Sequence, residues 1–137
     1  ALDAGPVALT VIDIDHFKRI NDAFGHPTGD AVICGLVQRV QNMLDAPASV
    51  GRIGGEEFTI LHPGAGLDQA LDLARRIHAS LNAQPLEALP QWPVTASFGV
   101  NRADRGTPFE ELYGRADAAL YDAKQQGRNR VVAVPQA

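Results

Sequence analysis

Three carboxylates in two places make the first chemical suggestion in this chain. Glu56 and Glu57 stand side by side after Gly54 and Gly55, in the stretch RIGGEEFTIL, and Asp13 closes the apolar run VALTVIDI. Adjacent glutamates repel one another unless a cation joins them. A hard cation such as Mg2+ takes oxygen ligands and commonly bridges carboxylates to a substrate's phosphates. Glycines carry no side chain to block a ligand and can adopt φ > 0, so a four-residue Gly-Gly-Glu-Glu connection would expose backbone N–H groups beside the acids. A carboxylate closing a buried strand is costly unless paired or metal-bound, and ligands of open α/β sheets tend to sit at the ends of central strands. Together the acids suit a carboxylate–metal cluster for phosphoryl or nucleotidyl transfer. Plainer readings stand beside this one: a solvated acidic turn for Glu56–Glu57, and a helix N-cap for Asp13, with Asp15 the better capping candidate.

These acids need a frame, and the apolar pattern supplies it. Val7 to Ile14 is a nearly continuous β-branched run, which predicts a central strand buried on both faces. A short helix is expected from His16 to Phe24, then a turn at FGHPTGD. A second helix begins at Asp30, with Val32, Ile33, Leu36, Val37, Val40, Met43 and Leu44 at helical spacing. SVGRI and FTILHP flank the Gly-Gly turn as a hairpin. Leu67, Leu71, Ala74, Ile77 and Leu81 mark a third helix, and PVTASFGVN a further strand. The last helix opens with Thr107 as N-cap, Pro108 at its first position and Glu110 completing a capping box, and stops at Gly127 before the strand RVVAV. The order predicts an α/β sandwich: a mixed sheet of about five strands, helices on both faces, and a hairpin carrying the acidic turn. Phe17, Phe24, Phe58 and Phe98 are assigned to the core, and Cys34 is read as a small buried hydrophobe.

The bulk properties set limits on function. A chain of 137 residues with 45% hydrophobic and 20% charged residues is one soluble-type domain with a real core. No apolar run approaches the roughly 20 residues of a membrane span, and the opening residues show no signal-peptide pattern. A lone cysteine excludes an internal disulfide and fits a reducing cytoplasm. The net charge of −4 argues against a general nucleic-acid or anionic-membrane binder, but not against a nucleotide whose charge metal ions offset. His16, His62 and His78 show no metal-ligand spacing.

Three blocks, IDIDHFKRINDAFGHPTGDAVI, RIGGEEF and ADAALYDAKQQGRNRV, occur in the order and spacing of the GGDEF domain family, the diguanylate cyclases. The chain resembles that family, in its GGEEF variant, over essentially its whole length. The resemblance implies a fold similar to the nucleotidyl-cyclase and polymerase palm. It also implies an activity: two GTP joined into cyclic di-GMP with release of two pyrophosphates, in an antiparallel homodimer that needs Mg2+, with Mn2+ as a substitute. By the match, Asp13, the carbonyl of Ile14, Glu56 and Glu57 hold metal. Glu56 is also the base or electrostatic partner of the attacking hydroxyl, and Lys18 joins it in catalysis. Asn21 and Asp30 match guanine readers, with His26 a substrate contact between them. Gly54 and Gly55 let the triphosphate approach, Arg52 steadies the turn, and Lys124 and Arg128 contact phosphates. Read without the resemblance, Asn21-Asp22 is a turn, Asp30 an N-cap, Arg52 a surface charge, and Lys124 and Arg128 are cations favoured at a helix C-terminus.

Two departures accompany the match. Many family members carry an Arg-x-x-Asp inhibitory pair before the Gly-Gly turn, where Asp45 and Ala48 stand here, so product inhibition at that site is not expected. The family's usual Asp-x-Leu-Thr segment ahead of the first strand is missing from residues 1–137, which are expected to be the catalytic end of a larger signalling protein. The rival readings are an inactive module binding GTP or cyclic di-GMP, and a cyclase making a mononucleotide or mixed dinucleotide.

Overall fold

The structure, a computed structural model, describes residues 5–136. Its elements run β1 (Pro6–Ile14), α1 (Phe17–Phe24), α2 (His26–Met43), β2 (Ser49–Gly54), β3 (Glu57–Pro63), α3 (Leu67–Ala83), β4 (Ala96–Asp104), α4 (Phe109–Gln125) and β5 (Val131–Ala133). The strands form one sheet in the order β2-β3-β1-β4-β5, with β1 at its centre. β1 is antiparallel to β3 and β4, and β5 joins β4 in parallel. The expected mixed five-stranded sandwich is therefore the observed one.

β1 is almost wholly apolar, Thr10 and Asp13 apart, because each of its faces meets a helical layer. Ala8, Ile12 and Ile14 enter the larger core with α2 and α3, whereas Leu9 and Val11 pack beneath Leu112, Ala116 and Leu120 of α4. This alternation follows from the two-residue period of a strand. Asp13 is the next residue in the row that faces α4. On β4, Gly99 lets that helix come unusually close: a Cβ there would lie 2.1 Å from the Ala116 carbonyl oxygen and 2.4 Å from the Leu120 nitrogen.

Several expectations need correction. α2 starts at His26 rather than Asp30, because Pro27 fits a first helical turn and Gly25 alone (φ 91) breaks the chain between α1 and α2. Asp30 therefore lies inside the helix and Asn21-Asp22 inside α1, so neither the cap nor the turn reading holds. Pro108, not Thr107, occupies the N-cap of α4, and no side chain caps it. The hairpin connection is shorter than four residues: Gly54 pairs with Glu57, leaving Gly55 and Glu56 as the turn. Phe58 and Phe98 are core, Phe17 is partly buried, and Phe24 is 43% exposed with its ring edge-to-face against Trp92. Cys34 is exposed, since it falls on the outer face of α2. Among the described residues, no helix is long and apolar enough to cross a membrane.

Candidate active site

The end of β1 gathers the acids. Register sets Asp13 directly opposite Glu57 on one side and Ser97 on the other. The Ile14 N–H donates to the Glu56 carbonyl at 3.3 Å, tying the turn to the strand end. Above the pair lies α4, which Gly99 admits to close range. From its last turn Lys124 Nζ donates to Asp13 Oδ2 at 2.5 Å, and from its N-terminal half Tyr113 donates its hydroxyl to Glu57 Oε1. Asp13 is only 8% exposed, and that burial pushes its carboxyl up from the ordinary value. Lys124 opposes the shift, and the nearby charges of Glu56 and Glu57 reinforce it. The hydrogen bond to Glu57, with burial behind it, holds the Tyr113 hydroxyl protonated well above its usual range.

A cavity of about 200 Å3 opens at this strand end, lined by Asp13, Ile14, Lys18, Glu56, Lys124 and Arg128 among others. Carboxylates line it beside cations, an arrangement suited to a polyanion and the metal that accompanies it. The oxygen donors available at the strand end, carboxylates and the Ile14 carbonyl, fit Mg2+ by their hardness. Among the described residues no set of three or more His, Cys, Asp or Glu side chains converges at metal-binding distance. Asp13 faces Lys124, and Glu57 faces Tyr113.

Comparison with known proteins supplies the lineage. The family described as "Diguanylate cyclase, GGDEF domain" matches residues 2–130. The chain belongs to the GGDEF family. It is 43% identical over 126 residues to diguanylate cyclase DgcM of Escherichia coli K12, covering 92% of this chain and 30% of that protein. Diguanylate cyclase DgcP of Pseudomonas aeruginosa is 38% identical over 130 residues, 94% of this chain and 19% of that protein. The chain thus spans about a third or less of these relatives' length. Among solved structures, the active GGEEF domain of a diguanylate cyclase from Vibrio cholerae superposes with a TM-score of 0.88 at 36% identity, covering 97% of this chain and 85% of that one. The GGDEF domain of DgcB from Caulobacter crescentus, solved with c-di-GMP, gives 0.86 at 34% identity, covering 94% and 78%.

The remaining motif positions of this GGDEF domain fall into four groups. Asn21 lies on α1, one turn beyond the cavity residues Phe17 and Lys18, against Gly29 of α2; a Cβ at Gly29 would sit 1.9 Å from Asn21 Oδ1. That oxygen is buried and makes no hydrogen bond, while His26 and Asp30 are exposed nearby in sequence on α2. Lys18 borders the cavity but its ammonium pairs with Asp22 at 2.9 Å in open solvent, away from the acids. Arg52 braces the hairpin, donating Nη2 and Nε to the Gly55 carbonyl at 2.7 and 3.0 Å. This clamp holds the turn without Asn-Gly chemistry. Neither Gly54 nor Gly55 has φ in the left-handed region expected of them; both stand in open space with nothing within 4 Å of a would-be Cβ. They keep the approach clear. Asp45 and Ala48 lie well apart, lining a separate cavity of about 310 Å3 with Asp72 and Arg76.

Asp15 caps nothing. His16 takes the N-cap position of α1 in the left-handed region (φ 55), and the Asp15 carboxylate turns toward Thr95, Ser97 and the Asn129 backbone. Sequence reasoning missed this cluster and Tyr113. Their partners lie 56 to 114 residues away in the chain, beyond any local pattern.

Proposed function

We propose that this domain condenses two GTP molecules into cyclic di-GMP, as one half of an antiparallel homodimer with Mg2+ in each site. The observation that carries the reading is the gathering of Asp13 and Glu56 with Lys124 and Arg128 around one cavity at the end of the central strand. Each subunit holds one GTP. The 3′-oxygen of one nucleotide attacks the α-phosphorus of the other. A new P–O bond forms, the bond to the β-phosphate oxygen breaks, and pyrophosphate leaves with the electron pair. The hydroxyl proton passes to the Glu56 carboxylate, and the second subunit repeats the step.

Asp13, the Ile14 carbonyl, Glu56 and Glu57 would hold Mg2+, which supplies positive charge against the triphosphate and acidifies the attacking hydroxyl. Lys124 and Arg128 bind phosphate oxygens, with Lys18 joining them from the cavity rim. In this reading Lys124 has two partners, Asp13 before the nucleotide arrives and a phosphate afterwards. Gly54 and Gly55 admit the triphosphate, and Arg52 keeps their turn in place. Asn21 reads guanine with the donor and acceptor of its amide, Asp30 accepts from the base's paired N1 and N2 donors, and His26 contacts the nucleotide between them. Adenine offers no such donor pair. Most of the rate derives from positioning and charge stabilisation.

The test is chromatography of the protein incubated with GTP and Mg2+, beside a Glu56→Gln control. Cyclic di-GMP from the wild type alone is the expected result. If a wild type shown to be dimeric binds GTP yet makes no product, the cyclase reading is wrong and the domain is a nucleotide-binding module.

A further inference from the structure

Asp15 has no role in the chemistry just described, yet it is one of the most heavily bonded side chains in the domain. It is 6% exposed and accepts from Ser97 Oγ at 2.6 Å, Thr95 Oγ1 at 2.7 Å and the Asn129 backbone N–H at 2.9 Å. The third donor belongs to the loop between α4 and β5, the loop that brings Arg128 to the cavity. There the backbone is strained: Arg128 (φ 65) and Asn129 (φ 48) are consecutive non-glycine residues in the left-handed region. Side chains seldom tolerate that region unless their surroundings over-determine it.

Here the surroundings do. The Asn129 carbonyl accepts from His78 Nε2 at 2.9 Å, and the amides of Asn129 and Asn82 exchange a reciprocal pair of hydrogen bonds, each 3.0 Å. One residue is thus gripped by its N–H, its carbonyl and its side chain, from the turn after β1 on one side and α3 on the other. The Arg128 N–H adds a bond to the Ala123 carbonyl at 2.9 Å. The chemistry of the grip also explains why an acid stands at position 15. Hydroxyls can reverse a hydrogen bond, but a backbone N–H can only donate, and a carboxylate accepts several donors with no proton of its own to place.

We propose that Asp15 is a positioning residue for triphosphate binding: through Asn129 it fixes the strained loop so that Arg128 faces the phosphate cavity. This deepens the functional reading above and rests on it for the ligand. Asp15 borders the same cavity, but its carboxylate oxygens are taken up by its three donors, and its effect is exerted through Arg128.

A double-mutant cycle tests this. Affinity for a GTP analogue with a methylene bridge between its α- and β-phosphorus is measured by calorimetry with Mg2+ for wild type, Asp15→Ala, Arg128→Ala and the double variant. Each single change is expected to weaken binding about ten-fold, the scale of a lost charge-assisted contact, and the double variant no more than Arg128→Ala alone. Asp15→Asn, which keeps an acceptor for the Asn129 N–H, should recover most of the affinity. Additive losses, about a hundred-fold in the double variant, would overturn the proposal. A second measurement needs no nucleotide. Hydrogen exchange at the Asn129 amide should be slow in wild type and Arg128→Ala and fast in Asp15→Ala; equal rates in all three refute the grip. If Asp15→Ala does not fold, Asn82→Ala at the exposed end of the network takes its place. Its expected loss of about three-fold must vanish in the Arg128→Ala background. A wild type that fails to bind the analogue overturns the functional reading and this role together. Failure of the positioning alone looks different: Arg128→Ala still weakens binding, but the cycle is additive.

Discussion

Gly99, packed beneath α4, and Gly114, on the exposed side of that helix, should respond to alanine in opposite directions. At Gly99 a Cβ would stand 2.1 Å from the Ala116 carbonyl oxygen and 2.4 Å from the Leu120 nitrogen. Both are backbone atoms of α4, so no side chain can swing aside, and the helix must retreat by about 1 Å to restore ordinary contact. Overpacking a tight interior typically costs about 1–3 kcal/mol. A rigid helix against a central strand belongs at the upper end, about 3 kcal/mol out of a total of about 5–15 kcal/mol. At about 3–4 °C per kcal/mol for a domain of this size, the melting temperature of Gly99→Ala should fall by about 10 °C. Gly114, on α4 itself, has nothing within 4 Å of its would-be Cβ and no left-handed φ, so Gly114→Ala should gain up to about 1 kcal/mol from helix propensity alone. The assay is urea denaturation of both variants with cyclic di-GMP production followed in parallel. Because α4 carries Lys124 and Tyr113, a retreat of 1 Å should cut the activity of folded Gly99→Ala by about a hundred-fold. A loss below about 1 kcal/mol, or full activity in a destabilised variant, would refute the claim that this contact sets the height of α4 above the acids.

Three further predictions concern the site. Burial raises the Asp13 carboxyl above its ordinary 3.8, so its contribution to stability is present in full below that value and fades as pH climbs through the raised one. In magnesium-free buffer Asp13→Asn should therefore gain on wild type between acidic and neutral pH in urea denaturation while losing cyclase activity; a variant that falls behind would show that the Lys124 ion pair outweighs burial. Tyr113→Phe leaves Glu57 Oε1 without its donor, and initial-rate kinetics should show kcat down by about ten-fold with the GTP KM little changed. With Asp45 reversing the charge where the family's inhibitory arginine would grip a phosphate, and Ala48 in place of its aspartate, added cyclic di-GMP should leave the initial rate unaltered; inhibition at micromolar product would show that Arg76 and its neighbours suffice.

What could be read from the sequence follows the range of the forces involved. β1 announced itself because it is buried on both faces, and the apolar stripes of α2 and α3 because each packs one side against a single core. The boundaries that failed were those set by competition between small local effects. Gly25 rather than the whole FGHPTGD stretch breaks the chain, since a proline in a first helical turn loses nothing. Pro108 displaced Thr107 from the cap for a similar reason: several residues could start the helix, and packing chose among them. Of the site, the acids stood out because charges at the edge of an apolar run are anomalous. Lys124 and Arg128 did not, for a cation at the end of a helix needs no explanation.

The partners of those acids were the least legible part, and the geometry explains why they exist. Three carboxylates at one strand end repel each other, and burial makes the charge on Asp13 costlier still. Such a cluster needs partners of its own to balance that repulsion. The domain resolves this with donors from a single helix, a cation on Asp13 and a neutral hydroxyl on Glu57. In the proposed function Mg2+ would compete directly with Lys124 for Asp13, whereas Tyr113 occupies only one oxygen of Glu57. Replacing Lys124 by methionine should therefore act in opposite senses on the two ligands, strengthening binding of Mn2+ alone while weakening that of the GTP analogue. Paramagnetic resonance of free Mn2+ and calorimetry of the analogue measure the two separately. A parallel loss of both would mean that Lys124 supports the site only as structure.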